Sequence, residues 1–376
     1  MHICHITTVH SATDTRIFYR MCRSLAAKGL RVTLIARDKA VGDSLVRLSF
    51  WNGSLAKAGR VFRVVRALQA AVSENADVYH FHDPELILVG LALKVLRPSA
   101  AVVYDVHEDY PAMMLVKHWL PQALKPVIAR AMHIANTIAG LCLDGIVTAD
   151  PGVQNDFSYV AHDRTLVFYN FPTLSLFSQE PANLPADMVD LIYIGGMSER
   201  AGTFILLDAL ALLAQQGLRP SVRLGGYTDG EAGRLVIQEG IRRRDLGNQV
   251  DLVGRIPQAH VPTWLRGGRI GLVPLQPIAK FLKNIPSKMF EYWACGLPVI
   301  ASDLPPIRRF VSDGENGLLF DPSSPQGLAR AIQQLMERPN EAEAMGRNGQ
   351  QQFYEHWNND YQVNRLIHFY EQISRF

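Results

Sequence analysis

The stretch Pro286-Ser-Lys-Met-Phe-Glu-Tyr-Trp-Ala-Cys-Gly-Leu-Pro-Val-Ile-Ala-Ser-Asp303 reads as a short helix running into a buried strand. Pro286 and Ser287 open helices, Gly296 stands where a helix stops, and 298–301 is an apolar run of strand length. Glu291 lies early in that helix. A capping glutamate belongs three residues after its cap. Counted from Ser287 that position is Phe290; counted from Ile285 it is Lys288. Glu291 meets neither register and is free to face a cleft, where a carboxylate can accept hydrogen bonds from two ribose hydroxyls. The helix start, with Ser287 and Lys288, suits a diphosphate. Taken alone, Lys288 and Glu291 read more often as a surface ion pair at i, i+3.

Outward from this segment the same rhythm fills the chain. Apolar runs at 2–7, 31–36, 77–81, 101–106, 145–148 and 166–169 alternate with helical stretches, the first at about 15–28. Between 171 and 187 the pattern dissolves into Pro, Ser, Asn and Gln, which reads as a linker. It restarts with runs at 191–194, 221–224, 250–253, 270–273, 298–301 and 317–320, and a helix at 359–374 closes the chain. Alternation of this kind implies βαβ units and parallel sheets. The expected fold class is α/β, with two doubly wound, Rossmann-like domains at about 1–170 and 188–355. The carboxyl ends of their sheets would face one ligand-binding cleft.

Composition narrows the function. At 376 residues and 48% hydrophobic content there is material for two cores. The four cysteines, Cys4, Cys22, Cys142 and Cys295, form no CxxC pair, which disfavours a structural zinc site and fits a reducing cytosol. No leader-like pattern opens the chain, and the apolar run 86–96 is interrupted by Lys94 and too short to span a bilayer. The expectation is a cytoplasmic protein, soluble or peripheral to a membrane. A net charge of +3 is too mild for a nucleic-acid binder. Gly225-Gly226-Tyr227 is not a GxGxxG fingerprint, so no dinucleotide cofactor is inferred.

The 284–303 segment resembles the signature of glycosyltransferase family 4, retaining enzymes of GT-B fold that use nucleotide sugars. Glu291 matches the second glutamate of that signature, which holds the ribose. The first glutamate would stand at Lys283. The pattern instead resembles a subgroup carrying Asn284, Pro286, Ser287, Lys288, Glu291 and Tyr292. In Leu191-Ile-Tyr-Ile-Gly-Gly-Met-Ser-Glu-Arg-Ala-Gly202 the resemblance places Gly195 and Gly196 against the donor. It makes Arg200, one place off the usual cation, the candidate for the diphosphate. Gly226 and Arg255 fall in loops that border the nucleotide in relatives. His107, after the 101–106 run, occupies the place of a histidine that meets the donor sugar. Asp14 and Arg16 follow the first strand, near donor phosphate and acceptor. The resemblance also implies that the first domain binds the acceptor, a lipid-linked or polysaccharide chain, and that the last helix returns to that domain. Two other readings are a nucleotide-sugar 2-epimerase of the same fold and a non-catalytic sugar-nucleotide-binding subunit.

Two further features stand apart. His80 and His82, with Asp83, have the residue types of a metal site, yet read more simply as the floor of a site at a strand end; no metal is expected, and no Asp-x-Asp motif occurs. Two stretches of the first domain are basic and apolar without an acidic residue. One carries Lys57, Arg60, Arg63 and Arg66. The other, from 110 to 143, carries Lys117, Lys125 and Arg130 beside Met113, Met114, Trp119 and Leu120. Basic amphipathic helices of this type lie on anionic lipid. The four cations of the first stretch, three residues apart, would fan over half of a helix.

Overall fold

The computed structural model describes residues 1–38, 45–50, 59–117, 120–178 and 187–374; Lys57 and Trp119 lie outside them. The chain forms two compact units, Met1–Asn170 with Asn359–Phe376, and Phe171–Asn358.

The first unit holds seven parallel strands: β1 His2–Ile6, β2 Arg31–Ala36, β3 Val46–Phe50, β4 Val78–Phe81, β5 Ala101–Val106, β6 Gly145–Thr148 and β7 Thr165–Val167. Their order is β3-β2-β1-β4-β5-β6-β7. Period-two alternation sorts the strand residues onto two buried faces. Cys4, Ile6, Tyr79, Phe81, Val102, Tyr104 and Val106 share one core, to which the helix Ile87–Leu96 adds Val89 and Leu93. Ile3, Val78, Ala101 and Val103 face the other side, under Phe18, Met21, Leu366 and Tyr370. His5, His80 and Asp105 take the same side by register, so polar groups enter the carboxyl end of an otherwise apolar face. The helix Asn359–Ile373 packs there, contributing Val363, Leu366, Phe369, Tyr370 and Ile373 to the first unit's core.

The second unit holds six parallel strands: β8 Val189–Gly196, β9 Val222–Tyr227, β10 Val250–Gly254, β11 Gly268–Val273, β12 Val299–Ser302 and β13 Gly317–Phe320. Their order is β10-β9-β8-β11-β12-β13. In both sheets the order reverses beside the unit's first strand, at β1/β4 and at β8/β11. Ligands of doubly wound folds bind at the carboxyl side of such points.

Three readings need correction. The edge strand β3 was not expected; its sequence, VRLSF, is short and only partly buried, so no long apolar run marks it. The first helix is a π-helix over Thr15–Cys22, becoming α-helical over Arg23–Ala27. The start of the expected linker belongs to the second unit, where Phe171 packs its ring 4.5 Å from Phe290 and Phe177 is buried near Phe353. In the helix Arg60–Glu74 two of the expected cations are placed differently. Arg63 is half-buried and donates to the Thr8 carbonyl at 3.4 Å, whereas Arg66 is exposed and lies over the Phe62 ring.

Candidate functional site

A cavity of about 520 Å³ opens in the second unit at the β8/β11 switch. The helix Lys288–Ala294 forms one wall. It ends as its sequence dictates: the Gly296 amide bonds to Trp293 O and the Leu297 amide to Tyr292 O, the paired bonds of a Schellman stop. Its buried side chains Met289, Phe290, Tyr292 and Trp293 anchor the helix on the sheet. Glu291 is thereby turned to the cavity, beside Ser287 and Lys288.

The sheet itself is opened by Tyr292. Direct pairing of β8 with β11 runs only to Ile192↔Gly271. Beyond it the Tyr292 hydroxyl bridges the two strands, accepting from the Ile194 amide at 3.0 Å and donating to the Leu272 carbonyl at 3.1 Å. A β-carbon at Gly271 would stand 2.3 Å from the Tyr292 ring, so a small residue is required where the tyrosine passes.

Lys288 projects over the Tyr193 ring, its Nζ 3.9 Å from the ring centre. A β-carbon at Gly195 would lie 2.8 Å from that ammonium, and Gly195 has φ +135°, a left-handed backbone that glycine alone adopts easily. The Gly195-Gly196 turn thus makes room for the Lys288 head. Removal from water lowers the Lys288 pKa to about 7, with the Glu291 carboxylate and Tyr227 pulling the other way. Arg200 is exposed and lines the same cavity, as do Ser198, Tyr227, Asp229, Lys280 and Asn284.

Of the second-unit candidates, Gly195, Gly196, Arg200, Ser287, Lys288 and Glu291 come together here. Gly226, Arg255 and Lys283 are not among the lining residues. Gly226 serves the sheet: a β-carbon there would fall 1.8 Å from the Gly195 carbonyl oxygen. Arg255 and Lys283 are exposed. Sequence reasoning missed Tyr193 and Tyr227, which reach the cavity from the ends of β8 and β9.

In the first unit the candidates gather around Asp105, a residue not singled out in advance. Asp105 is fully buried and takes a bidentate pair from Arg16, Nη2 to Oδ1 at 2.7 Å and Nε to Oδ2 at 3.0 Å. His82 Nδ1 and His107 Nε2 each lie 3.0 Å from Oδ2. Burial opposes charge on Asp105, but Arg16 and the two histidines outweigh it and hold its carboxyl well below the usual range. Behind it His5 Nδ1 meets His82 Nε2 at 3.0 Å, and His80 Nδ1 meets the Tyr370 hydroxyl at 2.5 Å. Burial lowers the pKa of His5, His80 and His82, so they stand neutral. One proton order then serves the row: His5 donates to His82, and His82 donates to Asp105.

Arg16 is therefore a structural ion-pair partner, with its Nη1 also donating to the Phe168 carbonyl at 2.7 Å. It is not a phosphate ligand. Asp14 caps the π-helix, accepting from the Arg16 and Ile17 amides at 2.9 Å, and pairs with His10 at 3.3 Å. His107 remains at the carboxyl end of β5, partly open, its ring 4.9 Å from that of His10.

His80, His82 and Asp105 place ligand atoms within 4.8 Å of one another. An ion there would share Asp105 with the Arg16 guanidinium, already fixed on both carboxylate oxygens. The donor set therefore fits a hydrogen-bonded ion pair better than a metal. Among the described residues no helix is long and apolar enough to cross a membrane.

Residues 177–352 match the family model of glycosyl transferases group 1, and residues 15–158 match that of the glycosyl transferase 4-like domain. The chain is 30% identical over 349 residues to the lipopolysaccharide core biosynthesis glycosyltransferase LpsE of Rhizobium meliloti, covering 88% of each. It is 24% identical over 360 residues to the D-rhamnosyltransferase WbpZ of Pseudomonas aeruginosa, covering 90% of this chain and 86% of that one. Among solved structures, a sucrose-phosphate synthase of Thermosynechococcus elongatus superposes with TM-score 0.77 at 20% identity, over 99% of this chain and 98% of that one. Anabaena Alr3699/HepE in complex with UDP gives TM-score 0.73 at 17% identity over the whole of both chains. Two doubly wound units, a Glu291–Lys288 cavity at the second switch point and these likenesses agree: the chain belongs to the GT-B glycosyltransferases of the family 4-like type.

Proposed function

We propose that this glycosyltransferase moves a sugar from a nucleoside diphosphate donor to a lipid-linked or growing polysaccharide acceptor of a surface polysaccharide or lipopolysaccharide, with retention of configuration and without a metal ion. The observation that carries the donor half is the meeting of Glu291, Lys288 and Arg200 in one cavity. Glu291 accepts from the ribose hydroxyls. Lys288 and Arg200 face the diphosphate and stabilise the charge that develops as it leaves. In the first unit Asp105 orients His107, whose partly open ring suits a sugar hydroxyl. The relatives named for lipopolysaccharide and rhamnosyl transfer support the acceptor class, and the UDP complex of a structural neighbour supports the donor class. An epimerase is not favoured, since these relatives are named as transferases.

Glu291→Gln should weaken UDP binding by about 1.5–3 kcal/mol, the worth of a hydrogen bond to a charged group. Calorimetric titration with UDP reads this directly, and an unchanged affinity removes the ribose role. Arg200→Ala should lower turnover more than donor affinity, because its charge acts mainly on the departing diphosphate. Steady-state rates with donor and acceptor extract decide it; an unaltered kcat transfers the role to Lys288.

A further inference from the structure

The helix Lys125–Cys142 carries a stripe of apolar residues on its solvent side. Leu124, Val127, Ala131, Ile134, Ile138 and Leu141 succeed one another at steps of three and four, so they fall along one side of the helix, and all six are exposed. Leu141 is 64% exposed. The helix Ile87–Leu96 packs beside it and exposes Leu88 and Val95, one heptad apart, with Val95 at 79%. Single exposed leucines are ordinary on soluble proteins; an ordered stripe on two neighbouring helices marks a contact surface.

Charge selects the occupant. No acidic residue occurs in 110–143 or in Ile87–Leu96. The cations Lys117, Lys125 and Arg130 lie in the first of these, and Lys94 is held by Asp144 at 2.7 Å. A second copy of the chain docking ridge to ridge would oppose cations to cations, and neither helix carries a carboxylate to receive them. An anionic bilayer supplies the missing charge. Apolar tips enter the acyl boundary while the long basic side chains reach back to phosphates. The basic helix Arg60–Glu74 is a weaker base for such docking, because Arg63 is spent on the Thr8 carbonyl.

We propose that the first unit docks on anionic lipid through the apolar ridge of the helices Ile87–Leu96 and Lys125–Cys142. This deepens the lipid-linked acceptor reading given above by assigning the face that meets the membrane.

The test is co-sedimentation of the full chain with phosphatidylcholine vesicles, with and without phosphatidylglycerol. Wild type is expected to bind the anionic vesicles. The variant Ile134→Gln/Ile138→Gln/Leu141→Gln should partition at least about tenfold more weakly. All three positions are exposed, so its thermal unfolding and UDP binding should match wild type. Lys125→Gln/Arg130→Gln should weaken binding and flatten its dependence on salt. Wild type that ignores anionic vesicles overturns the proposal, as does a triple variant that binds like wild type. A wild-type dimer by light scattering that the triple variant splits, without vesicle binding, assigns the ridge to a second copy. Vesicle binding is read without nucleotide or acceptor, so its failure leaves the transferase reading intact, and loss of UDP binding leaves the ridge intact.

Discussion

Lys288→Met is expected to weaken UDP binding by about 2–5 kcal/mol, from roughly thirtyfold to several thousandfold, the cost of truncating one partner of a desolvated charge pair. The cause is the position of the ammonium, over the Tyr193 ring and withdrawn from water, where a diphosphate would be its strongest partner. Because the Lys288 pKa is lowered to about 7, the empty site is only partly protonated near neutrality. A diphosphate prefers the charged form, so binding should take up a proton. Affinity in wild type should fall by up to about tenfold per pH unit above 7, while the methionine variant stays flat. Calorimetry in two buffers of different ionisation enthalpy measures the uptake; equal slopes in both proteins would dismiss the assignment. Stability moves the other way. Between pH 7 and 10.5 the unfolded chain holds a proton at this lysine that the folded chain has released, so raising the pH through that window stabilises the fold. Below 7 both states are charged and the burial cost is complete. Methionine removes that cost, so lost binding will not be lost folding.

Asp105→Ala should destabilise the first unit by about 3–5 kcal/mol, because it strands the buried Arg16 guanidinium. It also takes the acceptor from His82 and His107. Denaturant unfolding followed by hydrogen exchange should show residues 1–170 opening early while the second unit keeps its affinity for UDP. A variant as stable as wild type would mean that Arg16 finds another partner. Acid should act on the same cluster. His5, His80 and His82 have lowered pKa values, so below about 6.5 the unfolded chain takes up protons first and stability falls. Asp105, its pKa lowered in the fold, adds a loss that begins below the ordinary carboxylate range and is complete only under its folded value.

Both sheets were legible because parallel strands are buried on two faces and read as continuous apolar runs. The run 101–106 and the run 298–301 needed nothing more. β3 escaped because an edge strand has one partner and little burial, and VRLSF shows it. Glu291 was legible by subtraction, since no capping register claimed it. Arg16 was misassigned because its partner lies 89 residues away, and only strand order brings β5 beside β4 and under the π-helix. Arg255 falls in a loop that the resemblance sets beside the nucleotide; a sequence position in a loop does not fix where a long side chain points. Asp105 gave one local signal, a carboxylate in a strand that is otherwise apolar, which calls for a buried cation.

The closing helix Asn359–Ile373 has a consequence for synthesis. Its Val363, Leu366, Phe369, Tyr370 and Ile373 are core residues of the unit that begins at Met1, whereas the second unit is contained within Phe171–Asn358. A nascent chain leaving the ribosome usually completes its domains in the order they are written. Here the unit written first is completed after the second, with part of an apolar sheet face uncovered until Asn359–Ile373 emerges. The second unit matures ahead of it.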